Sequence, residues 1–198
     1  SYTAARTIST EGTTSHTYFS TDAANNVEST KSFTVNVDTG APSSTVTSHV
    51  TNAPVRGTIS FGGTASDATS GLASVQVSSD GGTSWNTVTL SGGTWSYSIN
   101  TASFPDGSKT FQIRSTDNAG NQSTVSHTLV VDNTLPTSSH SIAGTMGNNG
   151  YYVTAPVVTV SATDGTSGVA SRTFDGANYT ASVTISTQGT TTPPYFST

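Results

Sequence analysis

Apolar side chains recur at every second position in short runs, and clusters of Gly, Asp, Asn, Ser and Pro separate the runs. Between Val55 and Ala65, residues Val55, Gly57, Ile59 and Phe61 fall on one side of an extended chain, with Arg56, Thr58 and Ser60 on the other. Leu72 to Ser78 alternates again, with Val75 and Val77 inward. Trp85, Val88 and Leu90 follow the turn Asp80-Gly81-Gly82, and Trp95, Tyr97 and Ile99 follow Gly92-Gly93. Phe111 and Ile113 follow Pro105-Asp106-Gly107, and Val125, Leu129 and Val131 form the last run. A period of two marks half-buried strands, and the Gly-containing pairs between them are hairpin signals. With a first strand near Thr45–Val50, residues 43–136 are predicted to hold seven strands. No stretch shows the i, i+3, i+4, i+7 spacing of an amphipathic helix. The expected fold class is all-β. Composition agrees: 40 Thr and 33 Ser make up over a third of the 198 residues, and β-branched Thr and Val suit a pleated, half-buried surface.

Internal repeats set the organisation. Ser20-Thr21-Asp22-Ala23-Ala24-Asn25-Asn26 recurs as Ser115-Thr116-Asp117-Asn118-Ala119-Gly120-Asn121. Val37-Asp38-Thr39-Gly40-Ala41-Pro42 recurs as Val131-Asp132-Asn133-Thr134-Leu135-Pro136, and Asp67 to Ser74 recurs as Asp164 to Ser171. The offsets are 95, 94 and 97 residues. One unit is therefore about 95 residues, the size of an immunoglobulin-like sandwich. A longer match lies at an offset of 177: residues 2–21 align without gaps to 179–198, with 14 of 20 identical. The expectation is tandem sandwiches with incomplete terminal units. Residues 1–42 would be the C-terminal part of one, 43–136 a complete one, and 137–198 the N-terminal part of a third. Half a sandwich leaves its apolar face open. Neighbouring repeats of a longer array, or identical chains, would complete it, and the duplicated segment favours the longer array.

All nine Asp fall at expected turns or joins. Asp accepts hydrogen bonds from its own backbone in turns, which accounts for Asp80, Asp106 and Asp175 beside Gly. The others carry a topological argument. In such a sandwich the turn after the second strand and the turn before the last strand share one end, where the join from the preceding domain also enters. Asp67 and Asp117 should meet Asp38 there, with Asn121 and loop carbonyls. Three carboxylates repel one another, and Ca²⁺, which takes six to eight oxygen ligands, would relieve the repulsion. Asp132 and Asp164 should form the corresponding junction one unit on, and Asp22 with Asn26 the remnant one unit back. The alternative is that each Asp only caps its own turn.

The Asp-Xaa-Ala-(Gly)-Asn turn, the Asp-Xaa-Xaa-Ser-Gly-(Leu/Val) turn and the Val-Asp-Xaa-Xaa-Xaa-Pro join together resemble bacterial Ig-like repeats. The resemblance spans essentially the whole chain. It implies a long extracellular or cell-surface protein such as an adhesin, a surface-layer protein or a multidomain secreted enzyme, and junctions stiffened by calcium. Asn25 stands where glycine is usual, and Asn tolerates the left-handed conformation better than other residues.

Charge and motifs narrow the function further. Six Lys+Arg against eleven Asp+Glu give a net charge of −5, which argues against a nucleic-acid binder. No apolar run is long enough to span a bilayer. There is no cysteine. His16, His49, His127 and His140 lack zinc-site spacing and read as strand-surface residues; no nucleophile elbow, phosphate loop or dinucleotide fingerprint is present. Lys31 and Lys109 are the sole lysines available for an isopeptide crosslink. The expected function is a structural repeat (spacer, rod or filament-building segment) without enzymatic activity, its partners being neighbouring Ig-like repeats or identical chains in a fibre or sheath. The alternatives are an adhesive or carbohydrate-binding module, with Trp85, Trp95, Tyr151 and Tyr152 exposed in a line, and an accessory domain of a secreted hydrolase.

Overall fold

The computed structural model describes residues 4–186 and the backbone of residues 195–197. Its regular structure is strand; the helical elements among these residues are two single 3₁₀ turns, Thr101–Ser103 and Asn148–Gly150. No helix among them is long and apolar enough to cross a membrane. The chain divides into two compact units. The first comprises the described residues up to Thr51, Ser60–Ile99 and Thr110–Thr128; the second comprises Asn52–Ile59, Asn100–Lys109 and the described residues from Leu129 onward.

The first strands, β1 (Gly12–Tyr18) and β2 (Lys31–Val37), form an antiparallel pair in register from Gly12↔Val37 to Tyr18↔Lys31. The turn region before β2 contains Asn25 at φ 67°, as its amide side chain permits. Nine strands follow: β3 (Ser43–Val46), β4 (Pro54–Val55), β5 (Thr58–Ser66), β6 (Leu72–Ser78), β7 (Asn86–Thr87), β8 (Thr89–Ser91), β9 (Thr94–Asn100), β10 (Gly107–Asp117) and β11 (Gln122–Val131). They make two sheets, ordered β3-β5-β9-β8 and β4-β11-β10-β6-β7. Phe61 of the first sheet joins them. Its ring meets Trp95 at 5.6 Å, and across the sandwich it meets Phe111 at 5.4 Å and His127 at 5.7 Å. Val75, Val77, Ile99 and Ile113 are buried in the same unit. Aromatic rings bring large buried areas and edge-to-face contacts, so this cluster dominates the core.

The expected single strand from Val55 to Ala65 is two. Gly57, at φ 70°, breaks it, a conformation glycine adopts at little cost. Pro54 and Val55 then pair parallel to Val130 and Val131. The first strand ends at Val46 rather than near Val50, because Ser48 turns away: its backbone N–H and that of Thr47 both donate to the Gly62 carbonyl. His127 is not a surface residue; its Nε2 is buried with no hydrogen-bond partner.

The remaining strands are β12 (Thr137–Ala143), β13 (Val157–Thr163), β14 (Arg172–Phe174), β15 (Ala177–Asn178), β16 (Val183–Thr184) and β17 (Tyr195–Ser197). They form two sheets of three, β12-β13-β16 and β15-β14-β17. Val158, Val160, Phe174 and Tyr179 cluster beneath them, and the Tyr179 hydroxyl accepts the Val160 N–H at 3.0 Å.

Candidate metal centre

The sequence Asp67-Ala68-Thr69-Ser70-Gly71 closes a loop on its own carboxylate. Asp67 Oδ1 accepts the backbone N–H of Thr69 at 3.1 Å and of Gly71 at 2.8 Å, with Gly71 at φ 82°. The turn Asp117-Asn118-Ala119-Gly120-Asn121 is built alike. Asp117 Oδ1 accepts the N–H of Gly120 at 2.7 Å and of Asn121 at 2.8 Å, and its Oδ2 accepts the Asn121 amide at 2.9 Å. Asp38, on the join after β2, uses Oδ2 to accept the Ser70 N–H at 3.0 Å, and its carbonyl accepts the Asn121 amide at 3.1 Å. The two turns also bond each other: the Asn118 amide donates to the Ser70 carbonyl and the Ala119 N–H to the Ser70 hydroxyl.

These bonds bring one carboxylate oxygen each of Asp38, Asp67 and Asp117 within 4.8 Å of one another. Asp117 is 2% exposed. Among the described residues the ion pair present is Lys31–Glu28, so no basic side chain neutralises the three. Burial pushes the Asp117 carboxyl up, but hydrogen bonds from the Asn121 side chain and from the backbone of Asn121, Gly120 and Ala119 outweigh it and hold it below its ordinary value. Asp117 is therefore an anion at neutral pH. Each oxygen that accepts one N–H keeps lone-pair capacity. The donor set consists of hard oxygens, and the residues fit a hard divalent cation.

The set one unit on is partial. Asp164 Oδ1 accepts the N–H groups of Thr166, Ser167 and Gly168, and Asp132 Oδ2 accepts the Ser167 N–H at 3.0 Å. These are the counterparts of the Asp67 and Asp38 bonds. The backbone donors, Thr166 first, hold Asp164 below its usual value against desolvation and, last, the charge of Asp106. One unit back, Asp22 Oδ1 accepts the Ala24 and Asn26 N–H groups and Oδ2 the Asn26 amide, each at 2.8 Å. The Asn26 amide is the main cause of its lowered pKa.

Asp106 differs from the expectation of a self-capped turn. It reaches 27 residues along the chain, accepting the Asn133 N–H at 2.7 Å and the Thr134 hydroxyl. Glu11 does the same for Thr39, accepting both its N–H and its hydroxyl. The signal was present at the offset of 95, where Glu11-Gly12 lies opposite Asp106-Gly107. Asp80 is the local turn expected, binding Ser78 and Ser84.

The aromatic side chains do not form an exposed row. Trp95 is 1% exposed and donates its ring N–H to the Thr64 carbonyl, whereas Tyr151 is 66% exposed. Trp85 is half-buried under the Arg114 guanidinium, 4.1 Å from its ring centre. Lys31 is exposed, and Lys109 lies over the Phe104 ring.

Among solved structures, the chain is similar to a tetra-tandem repeat from the extending region of a large adhesion protein, with 18% identity and a TM-score of 0.39. It is also similar to a Ca²⁺-stabilized adhesin with which an Antarctic bacterium reaches out and binds ice, with 24% identity and a TM-score of 0.31. Each match covers 94% of this chain and 48% of the other, so the chain spans about half the length of these structures. No curated protein sequence matches. Residues 43–133 match the family model of the bacterial Ig-like domain. That match agrees with a two-sheet sandwich closed around Phe61.

Proposed function

We propose that the chain is a structural segment of a long extracellular or cell-surface protein, built from tandem Ig-like repeats whose joins are stiffened by Ca²⁺. The observation that carries this reading is the convergence of Asp38, Asp67 and Asp117 within 4.8 Å. Asp67 and Asp117 belong to the sandwich, whereas Asp38 belongs to the join. A cation held by all three ties the join to the sandwich end and restrains its rotation. The repeats divide at 42/43 and 136/137. Asp132 with Asp164 repeats the join-to-loop bond, and Asp22 with Asn26 repeats the final turn, so each unit brings part of the same site. Repeats that touch mainly their neighbours lengthen by duplication, and Ser/Thr-rich faces keep such a rod soluble with little charge. The buried position of Trp95 favours this reading over a row of sugar-stacking aromatics.

Thermal unfolding with Ca²⁺ and then with chelator tests the proposal. A ligand that binds only the folded state raises its stability in proportion to the logarithm of its concentration above Kd. Extracellular modules bind at about 10⁻⁴–10⁻³ M, so the upward shift should develop across millimolar Ca²⁺ and reverse on chelation. An unchanged transition removes the metal from the account.

A further inference from the structure

Along β10, Phe111, Ile113 and Ser115 are buried, so the alternate positions Thr110, Gln112, Arg114 and Thr116 lie on the outer face of the sheet. Arg114 stands opposite Gln76 on β6, and Gln76 opposite Thr87 on β7. The Arg114 guanidinium is fixed from two sides. It lies 4.1 Å from the centre of the Trp85 ring, and its Nη2 donates to Gln76 Oε1 at 2.7 Å. Its Nε is buried without a hydrogen-bond partner, which leaves the Nη1 donors for a ligand. Among the described residues no carboxylate forms an ion pair with Arg114. The groups that surround it on this face are neutral: the Gln76 and Gln112 amides, the Thr87 hydroxyl, and the Thr116 hydroxyl, which accepts the Gln122 amide at 3.2 Å. Arg114 is thus a single held cation on a face of hydroxyls and amides.

The repeat does not demand a cation at this position. Arg114-Ser115-Thr116 aligns with Phe19-Ser20-Thr21 and with Phe196-Ser197-Thr198, so both other copies carry Phe. We propose that Arg114 anchors a binding site for an acidic polysaccharide. Its guanidinium takes a uronate carboxylate, while Gln76, Thr87 and Gln112 bond sugar hydroxyls. A planar guanidinium matches a planar carboxylate with paired N–H donors. Held by Trp85 and Gln76, it has already lost its rotamer freedom, so the ligand meets a donor in place. One cation among neutral hydrogen-bonding groups fits a ligand that carries one charge per sugar among many hydroxyls. A protein partner would need aromatic or aliphatic anchors at the centre of the contact, and this centre has none. The Trp85 ring is covered by Arg114, so charge and hydrogen bonds, not ring stacking, do the recognising. This inference goes beyond the structural role proposed above and does not involve the metal.

Frontal chromatography of the full 198 residues on beads carrying polygalacturonate tests the site. Chelator is present throughout, so no cation bridges the polysaccharide to Asp38, Asp67 and Asp117. The parent chain should be retained by polygalacturonate and not by neutral dextran, and retention should weaken as salt is added. Arg114→Gln removes a charge-assisted bond and should weaken binding about tenfold or more. Thr87→Glu leaves Arg114 and Trp85 in place and sets an acid in the same cross-strand row, so it should weaken binding to a similar extent. Lys109→Gln, on the opposite phase of β10, should bind as the parent does. Melting curves check that each variant is folded. Absence of retention, equal retention on dextran, or parent-like binding by folded Arg114→Gln and Thr87→Glu overturns the proposal. Equal retention on polyglutamate would make the partner an acidic protein and overturns it as well. Every arm is read without Ca²⁺, so failure here and failure of the calcium-dependent melting shift are separate results.

Discussion

The loops at Asp67 and Asp164 come from repeated sequence and fold alike, yet among the described residues only that at Asp67 sits among three converging carboxylates. In both, an Asp Oδ1 accepts backbone N–H groups two to four residues on, and the join residue, Asp38 or Asp132, bonds the serine N–H in between. Around Asp67 the turn at Asp117 adds a buried third carboxylate. Around Asp164 the charge that opposes it comes from Asp106, which is occupied with Asn133 and Thr134. Loop shape is thus set locally, by Asp and Gly at fixed spacing, while the third carboxylate at Asp67 comes from the distant turn between β10 and β11.

The largest effects should come from breaking that closure. Phe61→Ala removes the ring that touches both sheets and should cost about 3–5 kcal/mol in denaturant unfolding. Phe174→Ala, in the smaller cluster with Val158, Val160 and Tyr179, should cost less; equal losses would mean that the two regions are closed alike. Gly63→Ala comes next. A Cβ at Gly63 would lie 1.8 Å from the Thr45 carbonyl oxygen, so β3 must move away from β5, at about 1–3 kcal/mol or more. A variant with the parent melting temperature would show that β3 is not held there.

Charge effects should be smaller and specific. Asp117→Asn should abolish the Ca²⁺-dependent rise in melting temperature, whereas Asp164→Asn should leave it intact while weakening its own loop. If both variants lose it, the two loops are equivalent and the contrast drawn above fails. The smallest effects follow pH. Burial holds His127 below its ordinary value, so the folded state takes up its proton less readily than the unfolded chain. Stability is full above about pH 6.5 and declines below it, and His127→Phe should flatten that decline. Asp117 and Asp164 are also lowered. Their contribution is present above about pH 4 and is lost as acid reaches their folded values. Melting curves from pH 8 to pH 2 separate the two windows.

Much of this architecture was legible in the residues. Alternation placed Val75, Val77, Trp95, Ile99, Phe111 and Ile113 inward, and all but Tyr97 among the expected inner positions of those strands are buried. Sandwich topology placed Asp38, Asp67, Asp117 and Asn121 at one end, because the two turns and the incoming join share it. What was hidden depended on long-range contacts. Gly57 looked like one more inward position, although its left-handed backbone ends a strand. Asp106 looked like a local turn residue, because nothing within its own hairpin reveals a partner 27 residues away. His127 read as a surface residue for its polarity, although it shares the phase of Val125, Leu129 and Val131 and packs on Phe61.

Direct Ca²⁺ binding to the full chain, followed by isothermal titration calorimetry, tests the central claim most closely. The account predicts a saturable site that vanishes in Asp67→Asn and Asp117→Asn and persists in Asp164→Asn and Asp22→Asn. Heat indistinguishable from dilution in the parent chain, or binding that survives the loss of both Asp67 and Asp117, would contradict it.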